Sequence, residues 1–267
     1  MKAKKTTTQA PATELSRGQL DEVIRMLKDV DSVELKLVAP MHTHRATIGK
    51  LGLDPIEAEV RQVYFFDTPN LDLDKAGVVV RARRIQGGAG DTVIKLRPVD
   101  PAAIDKELRR SDSFKTEVDV VPGGFVCSGS FKGRCTAQEV REAVGGKAPL
   151  DSLFSREQRA FYRAHAPKGV ALRSLATFGP TFVLKARLWV KALDRRLVVE
   201  MWLFPDGSRN LEISTKARPA EAFQVAQDLK AHLREIGIDL TGNQQTKTRA
   251  AMEFYKPEVR QQVKKRG

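Results

Sequence analysis

The sequence RQVYFFDTPNLDLDKAGVVVRARRIQGGAGDTVIKLR, residues 61–97, predicts three consecutive β-strands. The first strand ends at Asp67-Thr68-Pro69-Asn70, which is a turn signal. The second strand is predicted from Val78 to Ile85, and the third from Thr92 to Arg97. Glycines at 87, 88 and 90 mark the hairpin loop between them. This stretch therefore predicts an antiparallel sheet.

The second and third strands each carry one charged face. Because side chains alternate along a strand with a period of two, the cations of each strand point to one side. The charged side is formed by Arg81, Arg83, Lys95 and Arg97. The opposite side is mostly aliphatic and is formed by Val80, Ala82, Ile94 and Leu96. A single hairpin of this kind is also typical of an ordinary solvated sheet face.

The same two-faced pattern recurs on other predicted strands. Their charged faces carry Glu34 and Lys36, then Lys115, Glu117 and Asp119, then Lys185, Arg187 and Trp189, then Glu200, and finally Glu212, Ser214 and Lys216. Helical patterns are predicted over 17–29, 43–52, 101–109, 136–145, 150–165, 219–236 and 246–255. With so many helices to cover the aliphatic faces, we expect the charged faces to line the interior of a closed barrel.

Composition favours an anionic partner. The chain has 267 residues and a formal net charge of +13, which nucleic acid, membrane surfaces, polyphosphate and nucleotides all suit. No apolar run is long enough to span a bilayer, and the basic N-terminus lacks the apolar core of a secretory signal. Cys127 and Cys135 are expected to be reduced thiols, so we expect a cytoplasmic protein.

The predicted interior mixes both signs of charge, as phosphate chemistry requires. Lysine and arginine neutralise phosphate oxygens. Carboxylates hold Mg²⁺ or Mn²⁺, which bridges and polarises the phosphates. Because the strand-borne cations are interleaved with acids, the pattern disfavours a nucleic-acid partner. The composition therefore favours a small polyanionic ligand.

Two segments resemble the CYTH domain of the triphosphate tunnel metalloenzyme superfamily. Ser32-Val33-Glu34-Leu35-Lys36 is similar to the N-terminal signature Glu-x-Glu-x-Lys. The segment YFFDTPNLDLDKAGVVVRARR, residues 64–84, resembles the second signature. The superfamily includes class IV adenylate cyclases, thiamine triphosphatases and inorganic triphosphatases. The resemblance covers about residues 30–216.

The resemblance implies an α+β fold with a closed antiparallel eight-stranded β-barrel, whose charged lumen binds a triphosphate and whose outside is covered by helices. Implied phosphate contacts are Lys36, Arg81, Arg83, Lys95, Arg97, Lys185 and Arg187, with Lys36 also assigned a catalytic role. Implied metal ligands for Mg²⁺ or Mn²⁺ are Glu34, Glu200 and Glu212. Since barrel closure brings the first and last strands close together, we expect Glu34 and Glu212 to share an ion.

We expect a single domain over residues 16–255, between a disordered tail at 1–15 and a loose basic tail at 256–267. Residues 124–180 are expected to form an insertion of helices and irregular connections. A homodimer is left open, and no membrane partner is expected.

Two positions depart from the signatures. Ser32 stands where the first signature glutamate is expected, and Ser214 where a second acid often occurs on the last strand. Asp31 is adjacent but has the wrong parity for the lumen unless a bulge redirects it. Since serine is a poor Mg²⁺ ligand, three functions stay open. They are a metal-dependent phosphohydrolase acting on inorganic, nucleoside or thiamine triphosphate, a class IV adenylate cyclase, and a non-catalytic polyphosphate- or nucleotide-binding module.

Overall fold

The computed structural model describes residues 16–239 and 247–266. The predicted disordered tail at 1–15 lies outside them. The strands are β1 (Ser32–Ala39), β2 (Glu59–Asp67), β3 (Val78–Ile85), β4 (Gly90–Leu96), β5 (Phe114–Val121), β6 (Gly124–Cys135), β7 (Ala176–Val190), β8 (Arg195–Leu203) and β9 (Arg209–Ala217). The helices are α1 (Arg17–Leu27), α2 (His44–Lys50), α3 (Asp72–Lys75), α4 (Lys106–Arg109), α5 (Ala137–Val144), α6 (Arg156–His165), α7 (Ala222–Glu235) and α8 (Lys247–Arg266).

The strands close into one barrel in the order β1-β5-β6-β4-β3-β2-β7-β8-β9, with β9 returning to β1. The predicted closed barrel with a charged lumen and a helical cover is confirmed, but its predicted strand count and strand directions are wrong. The barrel has nine strands, and β1 and β5 run parallel. An odd number of strands cannot alternate in direction around a closed ring, so at least one neighbouring pair must be parallel.

The additional strand is β6, which lies in the region assigned to an insertion. It pairs with β5 through a hairpin at Gly123, whose φ is +75°, and its other edge pairs with β4. Helices α5 and α6 then follow in the predicted places. The alternation of β6 is hard to recognise because small residues fill it, with Ser128, Gly129 and Ser130 in its middle. Residues 124–135 are therefore barrel wall.

The aliphatic strand faces point outward and are covered by helices. Val80, Ala82 and Ile94 are at most 1% exposed and belong to a core that includes residues of α5 and α6. A second core packs the outer faces of β1, β8 and β9 against α7. Burial of these outward apolar side chains stabilises the fold by about 25 cal/mol per Å², and the charged side chains on the opposite faces point into the lumen. A third core packs β2 and β7 against α8 and differs from the other two, because its residues Val63 and Phe65 lie opposite Arg83 and Arg81 and so share the lumen side of the wall.

The connection from β2 to β3 explains the second signature. The buried carboxylate of Asp67 accepts hydrogen bonds from the backbone N–H groups of Thr68, Leu73 and Asp74, which orders α3. Gly77 follows with φ +72°, and a Cβ there would lie 2.8 Å from the carbonyl oxygen of Arg97. Only glycine allows this close approach without strain. The turn thereby sets the register of β3 against β4.

The C-terminal segment is helical where a loose tail was expected. Helix α8 runs to Arg266, with Pro257 inside it, and Ala251, Met252 and Val259 pack into the third core. No helix among the described residues is long and apolar enough to cross a membrane.

Candidate functional site

The inside of the barrel encloses a cavity of 720 Å³. All predicted site residues except Arg187 line it. They are Glu34, Lys36, Arg81, Arg83, Lys95, Arg97, Lys185, Glu200 and Glu212. Strand alternation places them there, because each occupies the face opposite to a helix-covered aliphatic one.

Arg187 has the predicted parity but lies away from the lining. Its side chain is 42% exposed and pairs with Glu59 at 3.5 Å. The strands that carry the two residues pair so that Glu59 lies opposite Lys185. Arg187, two residues beyond Lys185 on β7, therefore pairs with Glu59 at the barrel wall and does not line the cavity.

Lys36, the signature lysine, is held by two carboxylates. Its Nζ lies 2.7 Å from Asp119 Oδ1 and 2.9 Å from Glu34 Oε2. Burial alone would lower the pKa of Lys36, but the charges of Asp119, Glu34 and Glu212 outweigh it and raise that pKa above its ordinary value. Lys36 therefore stays protonated and supplies a fixed positive charge.

Asp119 on β5 gathers three of the predicted phosphate contacts. Besides Lys36, its carboxylate lies 3.4 Å from Lys95 Nζ and 3.7 Å from Arg97, and its side chain is 1% exposed. Burial would raise the pKa of Asp119, but the charges of Lys95 and Lys36 lower it overall. The sequence places Asp119 on a charged face but does not indicate this role, which depends on the pairing of β1 with β5.

Three carboxylates meet beside the signature lysine. Ligand oxygens of Glu34, Glu117 and Asp119 lie within 4.8 Å of one another, and they form the metal-capable group among the residues that the structure describes. Burial raises the pKa of Glu34, and the charges of Glu117 and Asp119 add to the rise, although Lys36 opposes it. Carboxylate oxygens are the ligands that Mg²⁺ and Mn²⁺ prefer, so this group suits a divalent ion, which would share the three acids with the cations that already pair with them.

The other two predicted metal ligands lie on neighbouring strands. Glu200 and Glu212 face each other across the β8–β9 pair. Glu200 also pairs with Lys185 at 3.2 Å and accepts a hydrogen bond from Trp202 Nε1 at 3.3 Å. The expected closure of β1 on β9 is present, but the acid that meets Glu34 comes from β5.

Ser32 takes part in this acidic group through a hydrogen bond. Its Oγ donates to Glu117 Oε2 at 3.1 Å, and Lys216 pairs with the same carboxylate. Asp31 accepts hydrogen bonds from the backbone N–H and the hydroxyl of Thr116, so it does not supply the missing carboxylate. The serine therefore orients Glu117.

Further cations come from β3 and from β6. The guanidinium of Arg83 donates to both oxygens of Asp91 at 2.6–3.0 Å. Nε of Arg81 is buried with no hydrogen-bond partner among the described residues, and burial, together with Arg83, lowers the pKa of Arg81 to about 10. Lys132 on β6 also lines the cavity, and burial followed by the charge of Lys216 lowers its pKa. Such crowding of cations favours an anionic ligand.

Sequence reasoning missed Lys132 because it missed β6. From Cys127 onward, Cys127, Gly129 and Phe131 alternate with Ser128, Ser130 and Lys132, and this weak pattern was the available signal.

Comparison with known proteins supports the fold. No protein-family model matches the chain, and no curated protein matches it in sequence. The chain is similar in structure to a protein from Hippeastrum named as a candidate adenylyl cyclase with a dominant triphosphatase activity, with a TM-score of 0.62, 18% identity, and coverage of 82% of this chain and 94% of that one. It is also similar to a candidate adenylate cyclase from Bacillus halodurans, with a TM-score of 0.58, 13% identity, and coverage of 83% and 97%. At these identities the likeness is one of fold.

Proposed function

We propose that the chain is a divalent-metal-dependent phosphohydrolase that acts on a triphosphate bound in the barrel cavity. The observation that carries the proposal is the meeting of Lys36, Lys95 and Arg97 on one buried carboxylate, beside Glu34 and Glu117. The fold of the Hippeastrum protein, which has triphosphatase activity, is consistent with it.

The chain's own cations bind and orient the substrate. Arg81, Lys132 and Lys185 line the cavity and neutralise phosphate oxygens, while Lys36 holds a proton permanently and stabilises charge on the phosphoryl group under attack by water. Glu34 and Glu117 are the residues that would hold Mg²⁺ or Mn²⁺. When bound, the ion supplies polarisation of the phosphate oxygens.

Phosphate release tests this function directly. Purified protein is incubated with tripolyphosphate, ATP or thiamine triphosphate, with Mg²⁺, Mn²⁺ or EDTA. We expect metal-dependent release from at least one substrate, and its loss in Glu34→Gln, which keeps the shape but removes the charge. Asp228→Asn, on the surface helix α7, is the control and should keep full activity. Equal release in EDTA would contradict metal dependence.

Ser32 and Ser214 favour a second candidate, a non-catalytic module that binds polyphosphate or a nucleotide. Ser214 lines the cavity, and Ser32 donates a hydrogen bond to the carboxylate of Glu117. Serine at these two positions leaves the site with fewer carboxylates for a metal ion. Tight tripolyphosphate binding without phosphate release in any metal would support this candidate. If cyclic AMP formed from ATP, the result would instead favour the cyclase.

A further inference from the structure

One exposed aromatic residue lies in the lining of the cavity. Trp189 on β7 lines the cavity and is 58% exposed, and its ring offers no charge to a phosphate. The other tryptophan, Trp202, is 6% exposed and donates its indole N–H to Glu200. A large aromatic ring held open beside a cluster of cations suits a ligand that is both anionic and aromatic.

The position of Trp189 places its ring at one end of the phosphate-binding cations. It lies four residues beyond Lys185 on the same strand, about 13 Å along the strand at about 3.3 Å per residue. Its cross-strand partner is Arg196, which also lines the cavity. On the next strand Lys216 pairs in register with Glu34 of the signature. A ligand with phosphates near Lys185 can therefore extend toward the indole.

The charges around Trp189 decide which aromatic group fits. Arg195, Arg196 and Lys216 line the cavity together with Trp189 and Asp194, but Arg195 pairs with Glu221 at 3.0 Å and Lys216 pairs with Glu117. Arg196 lies directly opposite Trp189 on β8, so its charge disfavours a cationic ring such as thiazolium and suits a neutral nucleobase. Bases of every kind stack on exposed aromatic rings, because every base has a π-face.

We propose that Trp189 is the platform on which the base of a nucleoside triphosphate stacks, so that this site prefers nucleotides to inorganic triphosphate. The inference rests on the proposed function, since it assumes that the triphosphate lies in this cavity. It assigns a specificity-determining residue that the phosphate-binding pattern does not reveal.

The test compares two ligands in three variants. Calorimetry at one fixed salt concentration measures the Kd of a non-hydrolysable ATP analogue and of tripolyphosphate for Trp189→Ala, Trp189→Phe and Phe182→Ala. Phe182 is the matched control because it is an exposed aromatic residue on the opposite face of the same strand. We expect Trp189→Ala to weaken the ATP analogue about tenfold or more, as loss of one stacked base does. Tripolyphosphate affinity should change less than about twofold, which sets the two ligands apart. Trp189→Phe should keep most of the affinity, and Phe182→Ala should match the wild type.

Three results would overturn the inference. They are an unchanged affinity of Trp189→Ala for the ATP analogue, an equal loss for both ligands, and a wild-type protein that binds tripolyphosphate more tightly than the ATP analogue. If the wild-type protein bound tripolyphosphate normally in those cases, the proposed function would survive. Failure of the wild-type protein to bind either ligand would overturn both.

Discussion

Replacing Asp119 by asparagine tests how the empty site is held together. The substitution keeps the size of the side chain but removes the charge that faces Lys36, Lys95 and Arg97. Breaking a buried ion pair by removing one partner costs about 3–5 kcal/mol. Since the three cations are 19–27% exposed and Lys36 keeps Glu34, we expect the lower end, about 3 kcal/mol. For a domain of this size the Tm should fall by roughly 6–12 °C.

Tripolyphosphate should reverse much of this loss. In the wild-type protein Asp119 competes with phosphate for the same cations, whereas in Asp119→Asn the ligand supplies the negative charge that the variant lacks. Because a ligand that binds only the folded state stabilises it, the rise in Tm at saturating tripolyphosphate should be larger in the variant.

Differential scanning calorimetry with and without tripolyphosphate measures both effects. Asp151→Asn is the control, because Asp151 pairs with an arginine that is 73% exposed and such surface pairs contribute about 0–1 kcal/mol. An unchanged Tm in Asp119→Asn, or a smaller ligand-induced rise than in the wild type, would refute this account of the cation cluster.

The stability of the wild-type protein and of Asp119→Asn should also respond differently to acid. The pKa of Asp119 is lowered on folding, so its contribution to stability is present above the ordinary aspartate pKa of about 3.9 and is lost as the pH falls toward the folded value. Wild-type protein should therefore lose more stability than Asp119→Asn between about pH 5 and lower pH.

Three further predictions concern the turn, the metal and the charge of the cavity. Gly77→Ala should destabilise the protein by more than Gly87→Ala in denaturant unfolding, because both have positive φ but only Gly77 has a carbonyl oxygen 2.8 Å from the new Cβ; equal losses would be contrary to this. Ser32→Glu should raise affinity for Mn²⁺ in calorimetry by adding a carboxylate beside Glu117, and an unchanged Kd would place the ion elsewhere. Burial lowers the pKa of Lys95. As the pH rises, tripolyphosphate affinity should therefore begin to fall at a pH below the ordinary lysine pKa, and Lys95→Arg should move that fall to higher pH.

Period-two alternation predicted most of the barrel because each predicted strand is polar on one face and aliphatic on the other. It predicted the lumen position of Arg83, since strand parity alone decides that. It could not predict that Arg187 turns to Glu59, because this depends on where the neighbouring strand begins. The same limit explains why the parity of Glu200 did not reveal its pairing with Lys185.

Contacts between strands that are distant in sequence were harder to predict than the positions of single side chains. The role of Asp119 follows from the parallel pairing of β1 with β5. A ring of nine strands must contain at least one parallel pair, and in this barrel β1 and β5 form it. Local sequence patterns do not show which strands become neighbours in the closed barrel, because this depends on all of its strands together.

Binding of a triphosphate in the barrel cavity is tested most directly at one pair of neighbouring residues. Arg83 lines the cavity, whereas Arg84 donates to Gln62 outside that lining. Calorimetric titration with tripolyphosphate should give a Kd at least about tenfold weaker for Arg83→Ala, because charge-assisted hydrogen bonds contribute about 1.5–3 kcal/mol. Arg84→Ala should bind like the wild type. Equal affinity in the wild type and both variants would contradict the account.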